Sequence, residues 1–138
     1  MPGFAPALFL VVSCNAAVYA QYSEQLDACL KAAETQVAMT VCSSEEATRA
    51  DAELNDIFQK LLAAAAKEQA AAEKIRHAEE AWRTYRDAFI EAMYPAANKQ
   101  SEYGSIFPME VNLLRAKLTR QQVLALRDLL KRYAGPWP

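Results

Sequence analysis

The stretch of sequence that decides the fold is Ala81-Trp82-Arg83-Thr84-Tyr85-Arg86-Asp87. It belongs to a longer segment whose apolar residues recur at alternating steps of three and four positions, namely Ile75, Ala78, Trp82, Tyr85, Phe89 and Ala92. This spacing predicts an amphipathic helix with one apolar face, which needs partner helices to cover it. Arg86 and Asp87 flank the predicted face, so their polar groups serve either the fold or the recognition of a partner.

The composition favours a single domain built from long helices. The chain has 138 residues, of which 23% are charged, and this length is enough for one compact domain. It contains only three glycines and is rich in alanine, the strongest helix former. The predicted fold class is therefore all-α.

Charge is distributed unevenly along the chain. The net charge of −2 argues against a nucleic-acid-binding protein. Residues 21–60 hold eight acids and three bases, whereas residues 111–138 hold six bases and one acid. Two interpretations follow: the two segments pair inside a bundle, or an acidic face attracts a basic partner.

The first 20 residues predict an export signal. An apolar run extends from Phe4 to Val12, and Val18-Tyr19-Ala20 fits the small-x-small cleavage pattern, which gives a mature chain beginning at Gln21. The run is too short to span a membrane. We therefore expect residues 1–20 to be a signal peptide and the mature protein to be periplasmic or secreted.

The cysteines predict a disulfide. As an alternative to simple cleavage of the signal peptide, Cys14 would carry a lipid anchor. Removal of residues 1–20 leaves two cysteines in the mature chain, Cys29 and Cys42. An even number of cysteines in an exported chain indicates a bridge. On one continuous helix these two residues would lie about 20 Å apart, too far for a disulfide. The chain must then reverse between them, near Glu34-Thr35, with Thr35 as a helix cap. The alternative is two buried free thiols.

The predicted architecture is a small antiparallel bundle of three long helices plus a short disulfide-linked N-terminal helix. All of it lies in one domain, residues 21–138. We place the helices at about 23–33, 36–66, 68–96 and 109–133, with a loop over 98–108. Thr119 and Gln122 interrupt the apolar spacing of the last helix, which allows a kink there.

Several short motifs occur in a characteristic order and spacing: Cys29, Met39-Thr40-Val41-Cys42, Ala50-Asp51-Ala52-Glu53-Leu54-Asn55, Ala81 to Ala88, Gly104-Ser105-Ile106 and Leu118-Thr119-Arg120-Gln121. Together they resemble the N-terminal domain of the LprI-like lysozyme-inhibitor family. The resemblance implies a small exported helical domain of the bacterial envelope that inhibits lysozyme. Family members commonly carry a second cysteine pair, and the matching positions here are Ile90 and Leu114, which we expect to form an apolar contact.

Five residues are predicted to form a structural polar network. Asp51 and Asn55 are four positions apart and share a helix face. If the second and third helices are antiparallel, Arg86 reaches this pair beneath Trp82, with Asp87 beside it. The alternative is that some of these residues line a recognition surface.

The candidate binding loop is formed by Tyr103, Gly104, Ser105, Ile106 and Phe107. Loops on rigid scaffolds often carry function, and exposed apolar residues there could enter an enzyme groove. The alternative is that Ile106 and Phe107 cap one end of the bundle.

Catalysis and cofactor binding have little support in the sequence. His77 forms a possible metal-ligand set with Glu73 and Glu80, but a dimetal site would need ligands from further helices. A phosphate loop and a nucleophile elbow are both absent from the sequence. We therefore predict a protein that is not an enzyme and has no cofactor or metal.

The predicted function is an exported envelope binding protein that inhibits lysozyme-type muramidases by protein–protein occlusion. The alternative is a structural or assembly protein of the envelope. The partner would then be a lysozyme-type enzyme or another envelope protein. The sequence does not decide the oligomeric state.

Overall fold

A computed structural model describes residues 22–135 of the chain. The predicted signal peptide and Cys14 lie outside these residues. The described helices are α1 (Glu24–Ala32), α2 (Gln36–Ala64), α3 (Gln69–Met93), α4 (Lys99–Tyr103) and α5 (Phe107–Ala134), and a 3-10 turn (Gly104–Ile106) joins the last two. The predicted all-α fold class is therefore confirmed for the part of the chain that the structure describes.

Side-chain caps explain where α1 and α2 begin. The hydroxyl of Ser23 accepts a hydrogen bond from the backbone N–H of Leu26 at the start of α1. The hydroxyl of Thr35 accepts one from Ala38 at the start of α2, as the sequence predicted. Each cap satisfies a backbone donor that the first helical turn leaves unpaired.

Helices α2 and α5 form the centre of the bundle and pack together along most of their lengths. At one end their contact is made by Ala47, Ala50 and Ala116, whose small side chains let the helices approach closely. At the other end a larger apolar core includes Leu54, Ile57, Leu61, Ile75, Val123 and Leu126. Helix α3 covers this core with Ile75 and the partly buried Trp82.

The predicted disulfide between Cys29 and Cys42 is present and joins α1 to α2. The two Cα atoms are 5.7 Å apart, which is the usual separation across such a bridge. Leu26, one turn before Cys29, is fully buried and gives α1 a second attachment to the bundle. Structural disulfides are typical of proteins in oxidising compartments.

The predicted apolar face of α3 is rotated away from the core. The buried positions of α3 are Ala72, Ile75, Glu79, Arg86 and Ile90. Three residues of the predicted face, Ala78, Tyr85 and Ala92, are exposed instead. The prediction was wrong at these positions because Glu79 and Arg86 find partners on the helices beneath them, and that pairing offsets the cost of burying their charges.

The segment predicted as a loop is mostly helical. Helix α4 begins after Asn98, whose side chain accepts a hydrogen bond from the N–H of Ser101. The turn at Gly104, where φ is +72°, then leads directly into α5. Pro108 lies in the first turn of α5, where its missing N–H costs nothing. Helix α5 continues without a break through Thr119 and Gln122, where the sequence allowed a kink.

Candidate functional site

Arg86 lies at the centre of a polar cluster that joins three helices. Its guanidinium Nη1 donates to Asp51 Oδ1 of α2 at 3.2 Å and to the Thr119 hydroxyl of α5 at 3.4 Å. Its Nε donates to Asp87 Oδ1 at 3.0 Å. The guanidinium carbon also lies 5.1 Å from the centre of the Trp82 ring, within reach of a cation–π interaction.

The structure brings together four of the five residues of the predicted network. Asn55 is exposed and takes no part in the hydrogen bonds around Arg86. Thr119 takes its place, because its buried hydroxyl donates to Asp51 Oδ1 at 3.3 Å. Sequence reasoning missed Thr119 as a partner, although its interruption of the apolar spacing of α5 was the available signal.

Glu46 is a second buried charge, which sequence reasoning also missed. Its carboxylate accepts hydrogen bonds from the backbone N–H and the hydroxyl of Ser23, and it pairs with Arg49 and Arg120 at 2.9 and 2.6 Å. Burial alone would raise the pKa of Glu46, but the hydrogen bonds from Ser23, Arg120 and Arg49 outweigh burial and lower this pKa to about 2. Glu46 lies four residues after Cys42 and four before Ala50, so the sequence already placed it on the same helix face as these two core residues.

Charged residues of the acidic and basic segments pair across α2 and α5. Arg120 contacts Glu53 at 3.1 Å as well as Glu46, and Arg127 contacts Glu53 at 2.6 Å. Internal pairing of the two segments is therefore confirmed for these residues. Other acids of the first segment remain exposed, among them Glu24, Asp27, Glu34 and Glu45.

Glu79 supplies a third polar contact between helices. Its buried carboxylate accepts hydrogen bonds from Gln122 Nε2 of α5 and from Arg83 Nε of α3, both at 3.2 Å. Together with Arg86, it fixes the middle of α3 to α5. These polar groups have partners within the bundle, which is typical of residues that hold a fold.

The candidate binding residues form a braced projection at one end of the bundle, which we call the tip and define as residues 98–107. The rings of Tyr94, Tyr103 and Phe107 contact one another, with centroids 5.1 to 5.6 Å apart. The Tyr103 hydroxyl accepts a hydrogen bond from the N–H of Ala96 at 3.1 Å. Burial raises the pKa of the Tyr94 hydroxyl, and the carboxylate of Glu110 adds to this rise.

Ile106 is the apolar residue that the tip presents to solvent. Its side chain is 44% exposed, and Ser105 beside it is also exposed. Phe107 is half-buried against Tyr94 and Tyr103. The two apolar residues of the predicted loop therefore differ, because Phe107 braces the tip and Ile106 is free to contact a partner.

The tip lies at the same end of the bundle as the start of α2. Gln36 Nε2 lies 3.6 Å from Met109 Sδ at the start of α5, and α2 also contacts the 3-10 turn. Glu34 precedes α2 at this end, and Glu102 belongs to the tip itself; both are exposed. An exposed apolar side chain is thus accompanied by two carboxylates that are open to solvent.

The possible metal ligands predicted on α3 lie at its surface. His77, Glu73 and Glu80 are all exposed on α3. Between residues 22 and 135, histidine, cysteine and acidic side chains form no group of three or more suited to a metal ion. The described helices also lack a segment that is both long and apolar enough to cross a membrane.

Comparison with known proteins identifies the family. Residues 27–126 match the family described as lysozyme inhibitor LprI, so the chain belongs to that family. An uncharacterized protein of Rhizobium meliloti (strain 1021) is 32% identical over 142 residues, covering 95% of this chain and 97% of the relative. No solved structure matches the chain.

Proposed function

We propose that this protein is an exported inhibitor of lysozyme-type muramidases, which acts by occluding the cleft of the enzyme. Membership of the lysozyme inhibitor LprI family is the observation that carries the proposal. The Cys29–Cys42 disulfide supports a location outside the cytoplasm, in the periplasm or the medium, after removal of residues 1–20.

We assign the contact with the enzyme to the tip. An inhibitor that blocks a cleft needs a convex element that holds its shape before binding, because ordering a loop on binding lowers affinity. The tip meets this need, since three packed aromatic rings and the short helix α4 support it from below. Ile106 would then enter the cleft as an apolar anchor.

The exposed carboxylates around the tip support the same assignment. Glu34 and Glu102 have their side chains in solvent at this end of the molecule. They would attract a basic muramidase and help to orient it, which raises the association rate more than the final affinity.

The test is an assay of cell-wall hydrolysis by a lysozyme-type muramidase with and without the purified, oxidised protein. We expect inhibition at micromolar concentration or below. Ile106→Asp should raise the inhibition constant at least tenfold, because it places a charge in the contact. Leu124→Asp is the matched control, since Leu124 on α5 is 41% exposed, almost as much as Ile106.

Two results would count against the proposal. If several muramidases are unaffected at micromolar concentration, the inhibitory function is wrong, and an assembly role in the envelope becomes the better account. If Leu124→Asp weakens inhibition as much as Ile106→Asp does, the tip is not the contact surface.

A further inference from the structure

Helix α3 presents an apolar face to solvent, formed by the exposed Tyr85, Ala88, Ala92 and Met93 and by the half-buried Phe89; we call it the outward face. Tyr85 is 57% exposed and Met93 is 53% exposed. The rings of Tyr85 and Phe89 lie 5.8 Å apart on successive turns. A patch of this kind, without a charged side chain within it, is typical of surfaces that bind another protein.

A groove lies beside the other half of the same helix. It has a volume of about 420 Å³ and runs between the first turns of α3 and the last turns of α5. Its lining is mostly apolar, with Ala71, Ile75 and Ala78 of α3 and Leu129 and Tyr133 of α5, and the charged residues Glu68 and Lys74 also line it. One molecule thus carries both an exposed apolar surface and a mostly apolar hollow, at opposite ends of one helix.

We propose that the occupant of this groove is the outward face of a second copy of this chain. A two-fold axis that crosses α3 near residues 83–85 would set the two α3 helices antiparallel. Such an axis places Phe89 and Met93 of each copy over the groove beside Ala78 of the other. Tyr85 of each copy would then lie next to the axis. This is an isologous contact, in which one surface complements itself, and it closes after two copies.

The size of the contact fits a weak dimer. From Ile75 to Ala92 the helix extends roughly 27 Å. A contact along one helix of this length is small for a specific interface, which needs about 1,000 Å² of buried surface, so we expect dissociation at micromolar concentration. The proposal does not rest on the inhibitory function, because α3 carries the outward face and the tip is a separate element.

Sedimentation velocity of the oxidised protein from about 1 to 200 µM tests the association. We expect a concentration-dependent shift from monomer to dimer. Tyr85→Glu should raise the dissociation constant at least tenfold, because it places two carboxylates beside the axis. Thr84→Glu is the control, since this exposed neighbour points about 100° away from Tyr85 around the helix. A monomer at every concentration, or equal effects of the two variants, would overturn the proposal.

Distances between spin labels test the geometry independently of the variants. A label at Thr84→Cys lies near the proposed axis, so two copies should give a short distance of roughly 20 to 25 Å, the width of two packed helices and their side chains. A label at Gln69→Cys, at the start of α3, should give about 45 Å in the antiparallel arrangement. Short distances from both positions would show a parallel dimer and refute this arrangement.

Discussion

At the scale of single residues, Arg86 shows how a charge becomes part of the core. Its guanidinium is buried, yet Asp51, Asp87 and Thr119 each accept one of its N–H groups. Trp82 covers the cation from one side. These contacts offset the loss of hydration and tie α3 to α2 and α5 at one point.

We expect Arg86→Met to lower the free energy of unfolding by about 1–3 kcal/mol, because it removes the hydrogen bonds that join the three helices. The loss stays below that of a fully buried pair, since Asp51 and Asp87 are partly exposed and water can hydrate them. Urea denaturation measures the change. Asn55→Ala, one turn from Asp51, should change stability by less than about 0.5 kcal/mol. Unchanged stability of Arg86→Met together with lost inhibition would instead assign Arg86 to recognition.

The lowered pKa of Glu46 predicts how the stability of the fold depends on pH. Its pKa is about 2 in the folded protein and 4.5 in a model compound, so the folded state favours the ionised form. The stabilisation is therefore present above about pH 5 and is lost as the pH falls towards 2. The loss is on the order of 3 kcal/mol for a depression of this size.

Glu46→Gln should remove this part of the pH dependence, because glutamine does not ionise. The measurement is the free energy of unfolding in urea at pH 6 and pH 3 for both proteins. The neighbouring exposed Glu45 gives the matched control, Glu45→Gln, which should keep the wild-type dependence. If the wild type and Glu46→Gln lose the same free energy between the two pH values, other carboxylates control acid unfolding.

At the scale of elements, α1 depends on three attachments to α2. The disulfide, the buried Leu26 and the hydrogen bonds between Ser23 and Glu46 all hold this nine-residue helix. A helix of this length is unstable alone in water. Tertiary contacts with α2 are therefore what keep α1 folded.

Replacing Cys29 and Cys42 together by alanine should lower the free energy of unfolding by about 3 kcal/mol, because the bridge closes a loop of 13 residues in the unfolded chain. Hydrogen exchange should show lost protection in α1 first, with the α2–α5 core still protected. A uniform loss over all helices would show that α1 is part of one cooperative unit with the core.

Local signals were sufficient to predict most helix boundaries, whereas the rotation of α3 was not predictable. Thr35 marks the start of α2, and the cysteine spacing required the reversal before it. The orientation of α3 depends on groups far away in sequence, because Asp51 and Thr119 together decide that Arg86 faces inwards. The spacing of apolar residues alone placed Tyr85 on the buried face, because such spacing carries no information about the pairing of Arg86 with Asp51 and Thr119.

The tip was predicted in position but not in form. Its residues were identified from Gly104 and the nearby apolar side chains. Its helical structure depends on the packing of Tyr94 against Tyr103 and Phe107, which is a contact between α3, α4 and α5. Asn98 as a cap and Pro108 in a first turn were the local signals for it.

At the scale of the whole molecule, the charges divide into two groups. Glu46 and Glu53 pair with arginines of α5 and hold the bundle together. Glu34 and Glu102 are exposed near the tip and are available to attract a basic partner. Added salt should weaken the attraction exerted by the exposed carboxylates much more than the pairing inside the bundle, because exposed charges are screened much more strongly than buried pairs.

We therefore expect the inhibition constant to rise several-fold between 20 and 300 mM salt, while the unfolding midpoint changes little. Over this range the screening length falls from roughly 20 Å to below 10 Å, which weakens attraction between separate molecules. The double variant Glu34→Gln, Glu102→Gln should inhibit less strongly at low salt and show a flatter salt dependence. Glu73→Gln, Glu80→Gln on the outer surface of α3 changes the net charge equally and should leave inhibition unaltered. If both double variants behave alike, the net charge of the molecule, rather than the carboxylates at the tip, attracts the enzyme.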